Sequence, residues 1–467
     1  MGDVFVQRVD SSGIIQWNDS LGVRVSDLVG VARSPNITTW LSGAIIAWIE
    51  GDSARFQVMY SDSTAKFGMN GIAIDTVGPN SYLRMTKRLS EDTTIAISFT
   101  KDQDSVLVVH ILDTLGNKKT GVSGIGVDSF FAGISEHNVA AFDNDSAVVT
   151  WISDSLRINM VSAPDSLEWG PVGIGLGSST ASNHQLVESG PMSIHVAWIE
   201  GTDLKVANVS DGIINWIVTL TTTAASDYPK IENDLFGGVI VAWTDTRGAD
   251  NDIYAQRLDG PGNEMWTAGG VPVCVKPWTQ DMPQLVPDGT GGAIIVWRDD
   301  YNSVEGQRVD SNGDLVWMSD GVVISGANVG SIFSLNITDT GDGNGIISWV
   351  QNSNVLMKKV YGNGLLYPGT VFNVGISDTL QADVGDTIIV PIFVKEAITL
   401  ADSLVSVDFK ITFEDSLLQF VGWDTVGALI GGFSMNDTVK IIPGMEDTFI
   451  VSAASSQEMV GGPDDTL

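Results

Sequence analysis

A short apolar run that ends in tryptophan recurs through most of this chain. It reads AIIAW at Ala44 to Trp48, AVVTW at Ala147 to Trp151, IHVAW at Ile194 to Trp198 and VIVAW at Val239 to Trp243. It continues as AIIVW at Ala293 to Trp297 and GIISW at Gly345 to Trp349, and TIAISF at Thr94 to Phe99 is a seventh copy with Phe in place of Trp. Runs without polar alternation suit strands covered on both faces, since a half-wet strand would alternate. The best-preserved copy, Asp281 to Gly326, surrounds its run with three further short strand patterns separated by turn residues.

Four strands repeated at about 50 residues are the pattern of a β-propeller blade, and the chain is expected to be all-β. The recurring Trp then has a structural explanation, because a large ring at the end of a buried strand fills the wedge between blades as they splay outward. Insertions between copies leave the strand cores intact, which places them in loops on the rims. Seven full units and an N-terminal half-unit, Asp3 to Asp27, leave seven or eight blades open. Seven is preferred, because Ser331 to Val374 supplies its own outer strands in NVLMKKVYGNG and GTVFNVG. The propeller is assigned to residues 1–375.

A second element follows the apolar run: QRVDSSGIIQW at Gln7 to Trp17, QRLDGPGNEMW at Gln256 to Trp266 and QRVDSNGDLVW at Gln307 to Trp317. Asp and Gly three residues apart fit a turn in which the carboxylate accepts backbone N–H bonds and Gly takes a positive φ. The element resembles, in degenerate form, the Asp-box of sialidase-type propellers. That resemblance implies a folding device between the two outer strands of a blade.

After Val374 the period disappears while strand-like alternation continues, so residues 376–467 are expected to form a separate β-sandwich. VGDTIIVPIFV at Val384 to Val394, VDFKITFEDSLLQFVGW at Val407 to Trp423 and GALIGGF at Gly427 to Phe433 resemble the cohesin family. The resemblance implies a jelly-roll that binds a dockerin module, often in assemblies acting on polysaccharide. Asp408 matches the strand aspartate that contacts dockerin in many cohesins, and Ser406 stands where those members carry Asn. The sandwich is expected to be incomplete at its C-terminal end.

The sequence has 57 acidic and 24 basic side chains, a net charge of −33. Such a surface repels phosphate backbones, which argues against nucleic acid as a partner. No run of 18 apolar residues is present, so no transmembrane helix is expected. The first residues have neither the basic nor the apolar region of a signal peptide; they match the third strand of a blade, so the chain is expected to begin in mid-repeat. The single cysteine, Cys274, sits in an apolar segment and is expected to be a buried thiol.

Three groups of side chains are candidate sites. Asp245 and Arg247, with Arg298 and Asp299, follow the Trp strand and are expected on a rim, where an ion pair adds little stability and leaves the residues open to binding. Asp339, Asp342 and Asn344 offer closely spaced oxygens, so calcium is a possible ligand, although the loop lacks the closing Glu of an EF-hand. Ser406 and Asp408 are the candidate partner contacts. The histidines, at 110, 137, 184 and 195, have no metal-ligand spacing, and no nucleophile elbow, P-loop or zinc helix is present. Every recurring residue has a packing or turn explanation. The leading expectation is therefore a non-catalytic, secreted or cell-surface binding or scaffold protein for carbohydrate or a dockerin-like partner. The alternative is a propeller glycoside hydrolase or sialidase-like enzyme, which needs clustered arginines or paired carboxylates; the eleven arginines show no such grouping by repeat position.

Overall fold

The computed structural model describes residues 3–367 apart from short segments at 9–15, 18–21, 28–30, 41–42, 79–80, 89–93, 102–105, 129–132, 144, 191–192, 222–225, 326–330, 352–353 and 365. Beyond these it describes the backbone of six further strands. The chain divides into two units, one of residues 1–322 and 330–365, the other of residues 323–329 and 366–467.

The first unit is a seven-bladed β-propeller. Blade 1 is Ala32–Trp40, Gly43–Glu50, Ser53–Met59 and Ile72–Thr76; blade 2 is Arg84–Arg88, Thr94–Lys101, Val106–Leu112 and Ile125–Asp128. Blade 3 begins with Glu136–Asp143, Ser146–Ile152 and Leu156–Ser162, and its outer edge is split into Ser166–Leu167 and Ile174–Gly175. Blade 4 is Ala181–Gly190, Ser193–Glu200, Asp203–Ser210 and Ile213–Thr219; blade 5 is Ser226–Asn233, Val239–Asp245, Asp252–Leu258 and Val271–Cys274. Blade 6 is Gln280–Pro287, Ala293–Asp299, Ser303–Val309 and Val322–Val323, and blade 7 opens with Ile332–Asp339, Gly345–Gln351 and Asn354–Val360. Within each blade, successive strands pair antiparallel. The first strands converge on a common axis, since Arg88 of blade 2 reaches Glu188 of blade 4 at 3.3 Å past the intervening blade.

The apolar runs are the second strands; in blades 1 to 6 they are buried from end to end, while in blade 7 Gly345–Trp349 alternates buried and half-buried positions. Outer strands are wetter: Ile213–Thr219 alternates exposed and half-buried positions. The second-strand tryptophans sit in the clefts between blades. Trp243 belongs to one buried cluster with Val206 and Leu220 of blade 4, and Trp297 to another with Ile253 and Ala255 of blade 5. Their rings leave no room for a side chain on the glycine that passes beneath: a Cβ on Gly270 would overlap the Trp243 ring, and one on Gly321 would lie 2.7 Å from Trp297 Cη2.

The Gln-Arg-x-Asp element is consumed by the turn it builds. Gln256 Oε1 accepts from the backbone of Trp266 at 3.0 Å, and Gln307 Oε1 from Trp317 at 2.9 Å, closing the outer hairpin. Asp310 Oδ1 accepts from the backbone of Asn312 and Asp314, while Gly313 takes φ of 90°. The adjoining arginines reach within their own blade, Arg257 to Asp234 and Arg308 to Asp288, whose carboxylates also tie the turn between first and second strands. The outer Trp then links blade to blade: Trp266 Nε1 donates to Ser311 O and Trp317 Nε1 to Gly362 O. The N-terminal half-unit makes the same link, Trp17 Nε1 to Ser61 O at 2.9 Å, and buries Val4, Val6 and Trp17 against blade 1.

In the second unit, Val374–Ile376, Ile392–Val394 and Asp465–Thr466 form one three-stranded sheet, and Ser406–Phe413, Asp447–Ala454 and Ser434–Lys440 form another. The remaining parts on which the jelly-roll reading rests lie outside the described residues.

Candidate functional site at the first strands of blades 1 to 4

Register identifies equivalent positions around the axis. The first-strand residue opposite the one preceding each second-strand aromatic is Asn36, Arg84, Asn138 and Gln185 in blades 1 to 4. In blades 5 to 7 it is Lys230, Gln284 and Asn336. Five of these strands shift register just before that residue, between Arg33 and Asn36, Ser182 and Gln185, Asp227 and Lys230, Asp281 and Gln284, and Phe333 and Asn336. Each shift holds a residue of positive φ: Ser34, Asn183, Tyr228, Met282 and Ser334, at 48° to 53°. A bulge of this kind bends the strand and re-aims the side chains beside it. Proline at 35, 229 and 283 fits the bulge because it forfeits no ladder donor there.

At this end of the first strands, blades 1 to 4 enclose a cleft of about 440 Å³. Carboxamides of Asn36, Asn138, Asn183 and Gln185 line it, with Tyr82, Arg84, Glu136, His137 and His184. Three of the carboxamides stitch blade to blade: Asn36 Nδ2 donates to Leu83 O at 2.9 Å, Asn138 Nδ2 to His184 O at 2.7 Å and Asn183 Nδ2 to Asp227 Oδ1 at 2.5 Å. Among the described residues the side-chain oxygens of Asn36 and Asn138 and the whole Gln185 amide have no hydrogen-bond partner. The floor is stiff. Tyr82 and His137 stack with centroids 4.4 Å apart and planes 7° from parallel, Tyr82 Oη accepts from the His137 backbone at 2.6 Å, and Ser98 Oγ lies 3.0 Å from His137 Nδ1. Burial, with Arg84 adding to it, pushes the His137 imidazole down to about 3, so this ring is neutral.

His184 differs. Its ring is 1% exposed, and neither nitrogen has a hydrogen-bond partner among the described residues; Nδ1 is 3.3 Å from Glu136 Oε2 without hydrogen-bond geometry. Orphaned buried imidazole nitrogens are costly, on the order of 1–3 kcal/mol, and mark a place where a partner can be supplied. Arg84 is exposed, stands 4.9 Å over the Tyr82 ring and makes no ion pair among the described residues.

Neither His137 nor His184 carried a recognisable motif. The signal is positional: the residue before the register-defined position is Pro35, Leu83, Pro229, Pro283 or Leu335 in five blades and His only in blades 3 and 4.

The rim candidates occupy a different part of the structure. Asp245 is fully buried and accepts from Trp243 Nε1 at 2.8 Å and from Arg247 Nη2 at 2.7 Å. Burial alone would raise its pKa; the bonds from Arg247 and Trp243 hold it below the usual carboxylate range. Asp299 accepts from Gln280 Nε2 at 3.0 Å and lies 3.2 Å from Lys276 Nζ. Arg298 grips Asp281 through two bonds of 2.6 and 2.7 Å and lies 4.8 Å from the centre of the Tyr301 ring. Tyr301 beside it, Tyr228 on the first strand of blade 5 and Trp278 just before the first strand of blade 6 are 50%, 43% and 70% exposed, and all three have positive φ.

In the acidic loop, Asp339 Oδ1 accepts from Gly341 N at 2.8 Å and Asn344 Oδ1 from Gly362 N at 2.8 Å, while Asp342 bonds Thr340 and lies 3.9 Å from Lys359. Among the described residues no three His, Cys, Asp or Glu side chains converge to hold a metal ion, and no helix is long and apolar enough to cross a membrane. Ser406 and Asp408 fall on the strand Ser406–Phe413, whose side chains lie outside the described residues.

No family model and no curated protein matches this sequence. Solved structures with propeller domains do. A prolyl endopeptidase is 13% identical over 79% of this chain, which spans about half (54%) of that one, with a TM-score of 0.44. The six-bladed fucose-recognising lectin of Aleuria aurantia is 12% identical over 62% of this chain and 95% of its own, with a TM-score of 0.34. Polysaccharide lyase Uly1 is 10% identical over 85% and 94%, with a TM-score of 0.42. At such identities neither ligand nor chemistry carries over.

Proposed function

We propose that this is a non-catalytic extracellular binding protein whose propeller holds carbohydrate in the cleft of blades 1 to 4. The observation that carries the reading is the cleft itself: carboxamides from three blades arranged over a stiff Tyr82–His137 floor. Carboxamides offer donor and acceptor side by side, which matches a hydroxyl that must both give and receive a proton. The exposed rings of Tyr228, Trp278 and Tyr301 on blades 5 and 6 add flat apolar surface suited to the C–H faces of sugars. Among the described residues Glu136 is the only carboxylate lining the cleft, and glycoside hydrolysis by paired carboxylates needs two, which favours binding over turnover.

The test is calorimetric titration of the full chain with a panel of plant, algal and bacterial oligosaccharides. At least one should bind with an affinity that Asn138→Ala and Gln185→Ala each lower about tenfold, the loss of one or two hydrogen bonds. Binding unaffected by both would move the site elsewhere, and progressive release of reducing ends would make the protein an enzyme.

The second part of the proposal concerns residues 376–467 as a cohesin-like docking module, with Ser406 and Asp408 on its contact face. Retention of a dockerin-bearing protein by this chain, lost in Asp408→Ala, supports it.

A further inference from the structure

Arg84 poses a question that its surroundings sharpen. In a chain of net charge −33, an exposed guanidinium has carboxylates in abundance to pair with, yet among the described residues Arg84 pairs with none. The register explains why. It is one of seven equivalent first-strand positions, and all seven are carboxamides or cations; none is a carboxylate. The second cation of this collar, Lys230 of blade 5, likewise makes no hydrogen bond or ion pair among the described residues.

Arg84 lines the cleft beside Tyr82 and His137, whereas Lys230 is not among the lining residues; burial lowers the Lys230 pKa. An exposed guanidinium that lines a cleft and has no carboxylate partner among the described residues is a ready seat for an anion. The carboxylates nearest to Arg84 and Lys230 are already committed or sit further along the strands. Glu136 lies against His184, Glu188 pairs with Arg88, and Glu232 is two residues beyond Lys230. Glu232 is itself pushed up to about 7 by burial, against the pull of Lys230 and with the help of Asp339.

We propose that the cleft recognises an acidic sugar: a uronate-type carboxylate seated against Arg84, with the carboxamides of Asn36, Asn138 and Gln185 on the ring hydroxyls. The proposal rests on the carbohydrate reading and names its ligand class. A guanidinium presents two parallel N–H donors that match a carboxylate, so it selects the acid over its neutral counterpart. The His184 Nε2, buried beside this position without a hydrogen-bond partner among the described residues, is the second sign that the cleft is built around a group not in the chain. The strongly negative surface restricts the ligand to one with sparse acidic groups, because a dense polyanion would be repelled before it reached the collar.

The experiment compares matched pairs on the full chain by calorimetry: uronate-containing trisaccharides and the same sugars with their carboxyl groups reduced to alcohols. The acidic member should bind at least about tenfold more tightly, the effect of one charge-assisted contact. Arg84→Gln should bring that ratio to within about twofold of one. Equal affinity of both members for the wild type overturns this inference and leaves the carbohydrate reading standing. A preference that survives Arg84→Gln also overturns it. Failure of every acidic and neutral sugar to bind overturns the carbohydrate reading together with it.

Discussion

The wedge role of the second-strand tryptophans can be measured with a pair of glycine substitutions in blade 6. Gly321 has φ of +92°, and a Cβ there would lie 2.7 Å from Trp297 Cη2 while overlapping the carbonyl of Gly306. Gly289 has φ of +80° with nothing within 4 Å of the same atom. Alanine at either site incurs the left-handed backbone strain, about 1–2 kcal/mol. Only Gly321→Ala adds overpacking, because Trp297 is wholly buried and the carbonyl belongs to a strand that cannot give way, a further 1–3 kcal/mol or so. Gly289→Ala should therefore cost about 1–2 kcal/mol and Gly321→Ala about 2–5 kcal/mol. Urea unfolding followed by tryptophan fluorescence reads both, and the difference between them isolates the close packing at Gly321, ring and carbonyl together. Equal losses would show that both the Trp297 ring and the Gly306 carbonyl have room to move, and the reading of these rings as tightly filled wedges would fail.

Two further expectations concern titration. His110, His137 and His195 are buried and neutral, pushed by burial to about 4, 3 and 4, so below pH 6.5 the unfolded chain takes up protons that the native state refuses. Each then removes up to about 1.4 kcal/mol of stability per pH unit as pH falls. Glu232 and Asp252, raised by burial to about 7 and 6, act in the opposite direction, since the native state binds their protons first. Three groups against two leave stability falling between pH 6 and 4.5; urea midpoints that rise over this range would contradict the assignment. Cys274 is 1% exposed, with its thiol pushed up to about 12 by burial. It should be inert to a thiol-disulfide reagent in the native protein and react fully in urea, whereas rapid native labelling would refute its place in the core.

How far a feature can be read from the sequence depends on how many strands it needs. The apolar run ending in Trp and the Gln-Arg-x-Asp turn are each built from consecutive residues of one blade, so their chemistry shows in the sequence, and the structure finds the run's Trp buried against the neighbouring blade and the turn bonded within its own. The rim pairs are also local, yet their role was hidden. Asp245 looked free until the indole N–H two residues earlier, on a ring that the blade interface buries, required an acceptor. The cleft could not be read at all, because it takes a few side chains from each of four strands lying some 50 residues apart. In two of those strands a bulge displaces the alignment by a residue. Once the register is known, the departures that matter are small: His where other blades carry Pro or Leu, and Arg or Lys where others carry an amide. In a repeat whose scaffold residues recur, binding chemistry belongs to the positions that are equivalent in space and unlike in side chain. By that criterion His184 and Arg84, rather than the plentiful carboxylates of the surface, are where this propeller departs from its own pattern.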